Sequence, residues 1–276
     1  MDLQVIIAEI RDQLGIQTDL TQVMLGFALL MARVLPVILL TPFLGGESVP
    51  SEVKLGLGVM LGLVLYPLVI AQTKDVPVSA LLFIALMLKE LFIGLALTMV
   101  VNIIFDAANV AGGLIDIMSG TNQAQLMVPQ IAQQVTLFAN LNLQLTTVVF
   151  LTLGGHHLVI GAFAESLAMI PLDQVPRFHL GFWPFFDTII RVSGDMLRIA
   201  LAISSPVLLA TFLTDLALGM INRVAPQVQV FFVAMQIKPA VTVVIMLTAM
   251  HLILGRTVEE FGVMFKWLKW TMTLLS

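Results

Sequence analysis

The sequence predicts an all-α integral membrane protein made of successive helical hairpins, and three observations carry that prediction. Of its 276 residues 59% are hydrophobic and 11% charged, with a mean hydropathy of +1.04, whereas soluble domains carry roughly 25% charged residues. A water-facing surface cannot be assembled from that composition. Apolar runs recur along the chain, several long enough at about 1.5 Å per residue to cross roughly 30 Å of hydrocarbon. Two of them meet between Thr211 and Pro239, TFLTDLALGMINRVAPQVQVFFVAMQIKP, at a charged corner marked by proline. No Ser/Pro-rich or charged linker divides the chain, so residues 1–276 read as one membrane unit. A net charge of -4 gives no basic footprint for nucleic acid. The absence of cysteine excludes a disulfide framework and thiolate metal ligation, and fits either side of a bacterial inner membrane.

In chain order, Met1 to Gln22 carries Glu9, Arg11, Asp12 and Asp19 among apolar residues and reads as a short amphipathic helix, without the basic start of a cleaved signal. Val23 to Leu44 is the first spanning candidate. It contains Arg33 and Pro36, and a mid-helix arginine costs on the order of 3 kcal/mol on insertion scales, so Arg33 should face protein or water. A polar turn follows from Gly45 to Glu52. Lys54 to Ala71 is apolar, with Gly58 and Gly62 four residues apart on a face suited to close helix packing. After a short turn from Gln72 to Pro77, Val78 to Phe105 holds Lys89 and Glu90 in its interior. Neighbours on a helix diverge, so the two should each need a partner from another segment.

Asp106 to Gln144 is the least lipid-like stretch, combining Gly112, Gly113, Gly120 and Pro129 with many Asn and Gln. Such a segment is tolerated inside protein or along a wet cavity. It reads either as a plain loop or as a flexible constriction in which Met118 and Met127 supply adaptable apolar contacts. Leu145 to Leu172 returns to the apolar pattern around Gly154-Gly155-His156-His157. Adjacent histidines make a poor chelate, and no HExxH motif completes a zinc site.

Asp173 to Pro184 is an aromatic interface loop with Phe178, Phe182 and Trp183. Phe185 to Ser204 places Asp187 four residues from Arg191 and Asp195 three from Arg198, spacings that let each pair neutralise itself on one helix face. The hairpin begins near Ser205-Pro206. Arg223 closes its first arm, Pro226 turns the chain, and Val228 to Leu254 forms the second arm with few polar residues, Lys238 among them. Arg256 to Ser276 looks like an interfacial amphipathic helix with Trp267, Trp270, Lys266 and Lys269.

Two other function classes compete with the final reading. A small-solute secondary transporter would use broken helices near a midplane site and should show similar halves; only Arg33-Val-Leu-Pro36 echoes Arg223-Val-Ala-Pro226. An intramembrane hydrolase would need a nucleophile with its base, or a metal constellation, and neither pattern occurs. No catalytic residue, cofactor or metal ligand is therefore expected.

The run Asp215-Leu-Ala-Leu-Gly219-Met-Ile-Asn222-Arg223-Val-Ala-Pro226-Gln227-Val-Gln-Val-Phe231, with Lys238 after it, closely resembles the C-terminal signature of the FliR/SctT family of flagellar and injectisome export-gate proteins. Other fragments agree in order: Ala32-Arg33, Pro42-Phe43 and Val49-Pro50, then Gly112-Gly113 through Gly120 and Pro129, then Gly155-His156-His157, Ser166 and Pro171. The family often has asparagine where this chain has Gln229. The resemblance implies a non-enzymatic component of a type III protein-export gate in the bacterial inner membrane, with flagellar use preferred over injectisome use. It implies a FliP-like part over residues 1–200, a plug segment at 106–130 and a FliQ-like hairpin with a C-terminal helix over 201–276. The implied partners are FliP-like and FliQ-like subunits in a helical hetero-oligomer, an FlhB-like subunit at the cytoplasmic side, and unfolded export substrates. Gly112, Gly113, Met118, Gly120 and Met127 are then expected at the gate, and Arg223, Pro226, Gln227 and Lys238 at the cytoplasmic corner. Lys89, Glu90, Asp187 and Arg191 are expected to pair between subunits.

Overall fold

A computed structural model describes residues 20–44, 46, 49–70, 79–121, 136–174, 176 and 181–275. Among these residues every regular element is helical: α1 (Leu20–Leu40), a 3₁₀ turn (Pro42–Leu44), α2 (Ser51–Ile70), α3 (Ala80–Ser119), α4 (Leu137–Thr152), α5 (Gly155–Met169), α6 (Phe182–Val224) and α7 (Val230–Leu275). Five of the helices are long and apolar enough to cross a membrane, or up to six spans if the bent α4–α5 pair counts as one. The expected N-terminal amphipathic helix falls almost wholly outside the described residues. So do the turn at 72–77, Phe178 of the interface loop, and Met127 and Pro129.

The spine is α3, and three apolar clusters lie along it in order. Leu86 packs with Leu29, Leu30, Val34 and Ile38 of α1 and with Leu65 and Val69 of α2. Ile93 to Phe105 packs with Phe43, Phe150, Phe163, Phe185 and Phe261, drawn from five other parts of the chain. Ala107, Ala111 and Ile115 pack with Phe138, with Ile199, Ile203 and Val207 of α6, and with Met246, Ala249 and Ile253 of α7. The last two clusters fix direction: α6 runs alongside α3 in the same sense, and α7 returns.

Small residues set the closest crossings. A methyl group on Gly94 would overlap the Arg33 carbonyl of α1, and one on Gly112 would overlap Phe138 O and Ala139 Cα at the start of α4. Gly58 and Gly62 face Leu35, Met31 and Phe27, so the glycine pair of α2 packs against α1 of the same chain. Tyr66 closes that hairpin by donating its hydroxyl to Val23 O at 2.9 Å.

Three expected boundaries shift. The stretch from Asp106 is not a loop at first: α3 continues to Ser119, because Ala107, Ala108, Ala111 and Gly112 form a small-residue stripe that other helices cover. Gly120, in the left-handed region at φ 77°, then ends the helix. The hairpin's first arm starts at Phe182 instead of Ser205, so the helix runs straight through residue 200, the expected division between the two parts. Pro206 interrupts nothing, since the Ala202 carbonyl that loses its amide donor accepts from the Ser205 hydroxyl at 2.9 Å. Finally, Arg256 to Leu275 is not a separate interfacial helix but the far end of α7.

Within the expected Leu145–Leu172 run the chain breaks at Gly154, whose φ of 72° lets α4 and α5 meet at 73°. Beyond the third cluster the α6–α7 hairpin projects: past Val207 and before Met246, only Thr211, Leu218 and Thr242 are buried.

Candidate functional site

The first polar centre sits at the top of the spine. Arg33 and Glu90 are both wholly buried, and the Arg33 guanidinium Nε pairs with Glu90 Oε2. Lys89 Nζ pairs with the other oxygen of the same carboxylate. Arg33 also donates to Ser166 O at 2.9 Å and Ile170 O at 2.8 Å. Lys89 donates to the carbonyls of Pro171, Leu172 and Gln174 at 3.2, 3.0 and 2.9 Å. Two cations thus meet the negative end of α5, adding to the Ile170 N–H that already bonds Ser166 O at 3.0 Å. Lys89 and Glu90 each have a partner from another segment, as their divergence on the helix predicts, and they also pair with each other, which it does not. Both long side chains converge on Arg33 and the α5 terminus, and one carboxylate bridges both cations. These partners all lie within this chain.

The second centre lies one helix end away. The Asp116 carboxylate is buried and accepts the backbone N–H of Phe138 through Oδ1 and of Ala139 through Oδ2, each at 3.1 Å. Thr121 donates its hydroxyl toward Asp116 Oδ1 and the Asp116 carbonyl, both at 3.0 Å. Thr136, at the N-cap of α4, makes no capping bond of its own, so a carboxylate from α3 serves the first amides of α4. Of the expected gate residues, Gly112 is buried in the crossing below, Gly113 faces open space, and Met118 is half exposed beside exposed Ile117. Met127 lies outside the described residues. Nothing in the sequence reading singled out Asp116; an acid one turn after a small residue that contacts another helix was the available signal.

At the third place, the hairpin tip, Arg223, Pro226 and Gln227 are all exposed, as are Met220, Val224 and Phe231 around them. Lys238 is partly buried and pairs with Asp215 at 2.5 Å, across the two arms. It therefore stands apart from the other three.

Beside the second cluster, on the side of the third away from the hairpin tip, a charged layer joins α6 to α7. Asp187 and Arg191 pair with each other at 2.7 Å on an exposed face, as their spacing predicts. Asp195 pairs with Arg198 at 3.1 Å and accepts the Trp267 indole N–H at 3.2 Å. Buried Glu260 lies between Arg256 (2.6 Å) and Arg198 (3.8 Å). From Arg198 to Asp215 and from Lys238 to Arg256 neither arm carries a charge. Among the described residues no three His, Cys, Asp or Glu side chains come together as a metal site.

The chain from residue 24 to 264 matches the family model described as bacterial export proteins, family 1. The flagellar biosynthetic protein FliR of Bacillus subtilis (strain 168) is 29% identical over 232 residues, which cover 83% of this chain and 87% of that protein. The FliR of Escherichia coli (strain K12) is 29% identical over 225 residues, 81% of this chain and 83% of its own. Yop proteins translocation protein T of Yersinia pestis is 28% identical over 219 residues, 79% of this chain and 83% of its own.

Proposed function

The chain belongs to bacterial export proteins, family 1, and from that premise we propose that it is the FliR-like membrane subunit of a type III protein-export gate, serving a flagellum. One observation supports the multisubunit reading above all. Exposed apolar side chains run from Leu81 and Leu82 at the start of α3 to Met220 and Val224 at the hairpin tip. With α3 and α6 parallel, that distance is roughly 75 Å at about 1.5 Å per residue, against roughly 30 Å of hydrocarbon in a bilayer. Lipid covers less than half of such a length. The rest requires protein, which we assign to FliP-like and FliQ-like subunits in the bacterial inner membrane.

The work of such a subunit is a seal rather than a reaction. Adaptable apolar side chains at the end of α3 and in the segment after it, Met118 and Met127 included, exclude ions while the gate is closed. Displacement of that segment beyond Gly120 lets an unfolded substrate through. Of the glycines, Gly120 ends the helix and Gly112 holds the crossing below it, while Gly113 has room for a moving neighbour. Deleting residues 121–127 is expected to raise ion leakage through the assembled complex, measured as potassium efflux from cells. Unchanged efflux with normal assembly would remove the segment from the gate.

The corner of Arg223, Pro226 and Gln227 faces the cytoplasm in this reading and meets an FlhB-like subunit. Arg223→Ala should lower export severalfold, read as secreted substrate, and leave co-purification of the FliP-like and FliQ-like subunits intact. Loss of those two subunits together with export would place Arg223 in assembly instead. Exposed Asp187 and Arg191 stay available for pairing across a subunit boundary. Lys89 and Glu90 do not, because their charges are met within the chain. A secondary-transporter reading finds no support in three unlike clusters strung along one spine.

A further inference from the structure

We propose that the chain holds one phospholipid with a zwitterionic, ethanolamine-type headgroup, its tail in the groove between α1 and α3 and its headgroup in the polar cavity beside α4. Positions 84, 88, 91, 95, 99, 102, 106 and 109 recur every three or four residues and form one stripe along α3. Ile84, Leu88, Leu91, Leu95 and Met99 make the first half of the stripe apolar and exposed, and Asn102, Asp106 and Asn109 make the second half polar. Each half lines its own hollow. The apolar one, about 590 Å³, runs between Leu88, Leu91 and Leu95 of α3 and Leu35, Leu39 and Leu40 of α1. The polar one, about 660 Å³, holds Lys54, Asp106, Asn109, Asn140, Gln144 and Thr147. Leu39 and Leu40 line both, so one hollow opens beside the other.

Charge and length select the ligand. Lys54 and Asp106 line one cavity, yet neither is in an ion pair among the described residues. A cation and an anion held apart in one hollow suit a ligand that carries both, an ammonium for Asp106 and a phosphate for Lys54. The side-chain amides of Asn109 and Gln144 offer donors and acceptors to the remaining ester and phosphate oxygens. From Leu95 back to Ile84 the stripe rises about 16 Å at 1.5 Å per residue, close to half of roughly 30 Å of hydrocarbon and so to the depth of one leaflet. Asn102 stands where apolar gives way to polar, and its side-chain N–H donates to Leu40 O at 2.9 Å, so both walls of the groove build that boundary. A helix from a neighbouring subunit would have to bring an acid and a base of its own to the cavity, whereas every phospholipid of this class carries both charges.

The full chain, co-expressed with its FliP-like and FliQ-like subunits, is extracted in mild detergent, and the phosphatidylethanolamine that survives washing is counted by mass spectrometry in wild type, D106N and K54M. Each variant is expected to retain about ten-fold less, the loss that goes with removing one charge-assisted contact. Unchanged retention in both would overturn the site. Release by only one of them would overturn the zwitterion and leave a headgroup of single charge. A wild-type complex free of phospholipid would overturn the lipid, and a photo-crosslinker at Leu91 joined to another subunit would then give the groove to protein. Should D106N fail to assemble, L91W fills the apolar groove away from the cavity and decides in its place: lost lipid supports the site, and wild-type retention refutes it. The site requires only that the chain lies in a bilayer, so lipid held in this way by a chain that recovers no FliP-like or FliQ-like subunit would sink the gate reading and keep this one.

Discussion

Replacing Arg33 by leucine is expected to cost the folded chain about 3–5 kcal/mol, the range seen when one partner of a buried ion pair is removed. The Glu90 carboxylate would stay wholly buried with Lys89 as its remaining counter-ion, the Ile170 carbonyl would lose its guanidinium donor, and Ser166 O would keep only the Ile170 N–H. The measurement is thermal unfolding of the detergent-purified complex, with chain abundance in the membrane as a second reading. Removing both charges in Arg33→Met with Glu90→Leu should recover part of the loss, since a buried pair as a whole is worth less than the penalty for breaking it. Equal stability of the single and double variants would show that the guanidinium acts through its α5 carbonyls and not through Glu90.

Nearly as large an effect is expected at Gly112. Alanine there pushes a methyl into the backbone of Phe138 and Ala139, which cannot swing aside as a side-chain tip would. A cost of about 3 kcal/mol follows from overpacking at a backbone crossing, with lost assembly as the visible outcome. Alanine at Gly113, one residue on, meets nothing within 4 Å and should stabilise the helix by up to about 1 kcal/mol. The pair is an internal control, read by the yield of complex and its unfolding temperature. Similar behaviour of the two variants would place the α3–α4 crossing elsewhere.

The membrane character, the hairpin and the family were legible in the sequence because they rest on long-range composition and on a local signature at Asp215 to Phe231. The seclusion of Arg33 was legible too, since the insertion cost of a lone cation leaves few alternatives. What could not be read was which residues converge. Lys89 and Glu90 looked divergent because spacing along one helix says nothing about the Arg33 guanidinium arriving from another. Gly112 and Gly113 looked alike, as a flexible pair in a polar stretch. One is a contact between backbones and the other is not, a distinction that exists only once α4 lies against α3. Pro206 read as a helix start because a proline's missing amide is visible in sequence, while the Ser205 hydroxyl that compensates for it depends on the helix already being there.

The length of unshielded hydrocarbon along this chain also governs its life before it meets its companions. A newly made copy outside its complex cannot hide that surface in lipid alone, so it is a target for aggregation and for the quality-control proteases of the envelope. Its half-life in a cell lacking the other subunits should be far shorter than in one that makes them, and synthesis alongside them becomes a condition of survival.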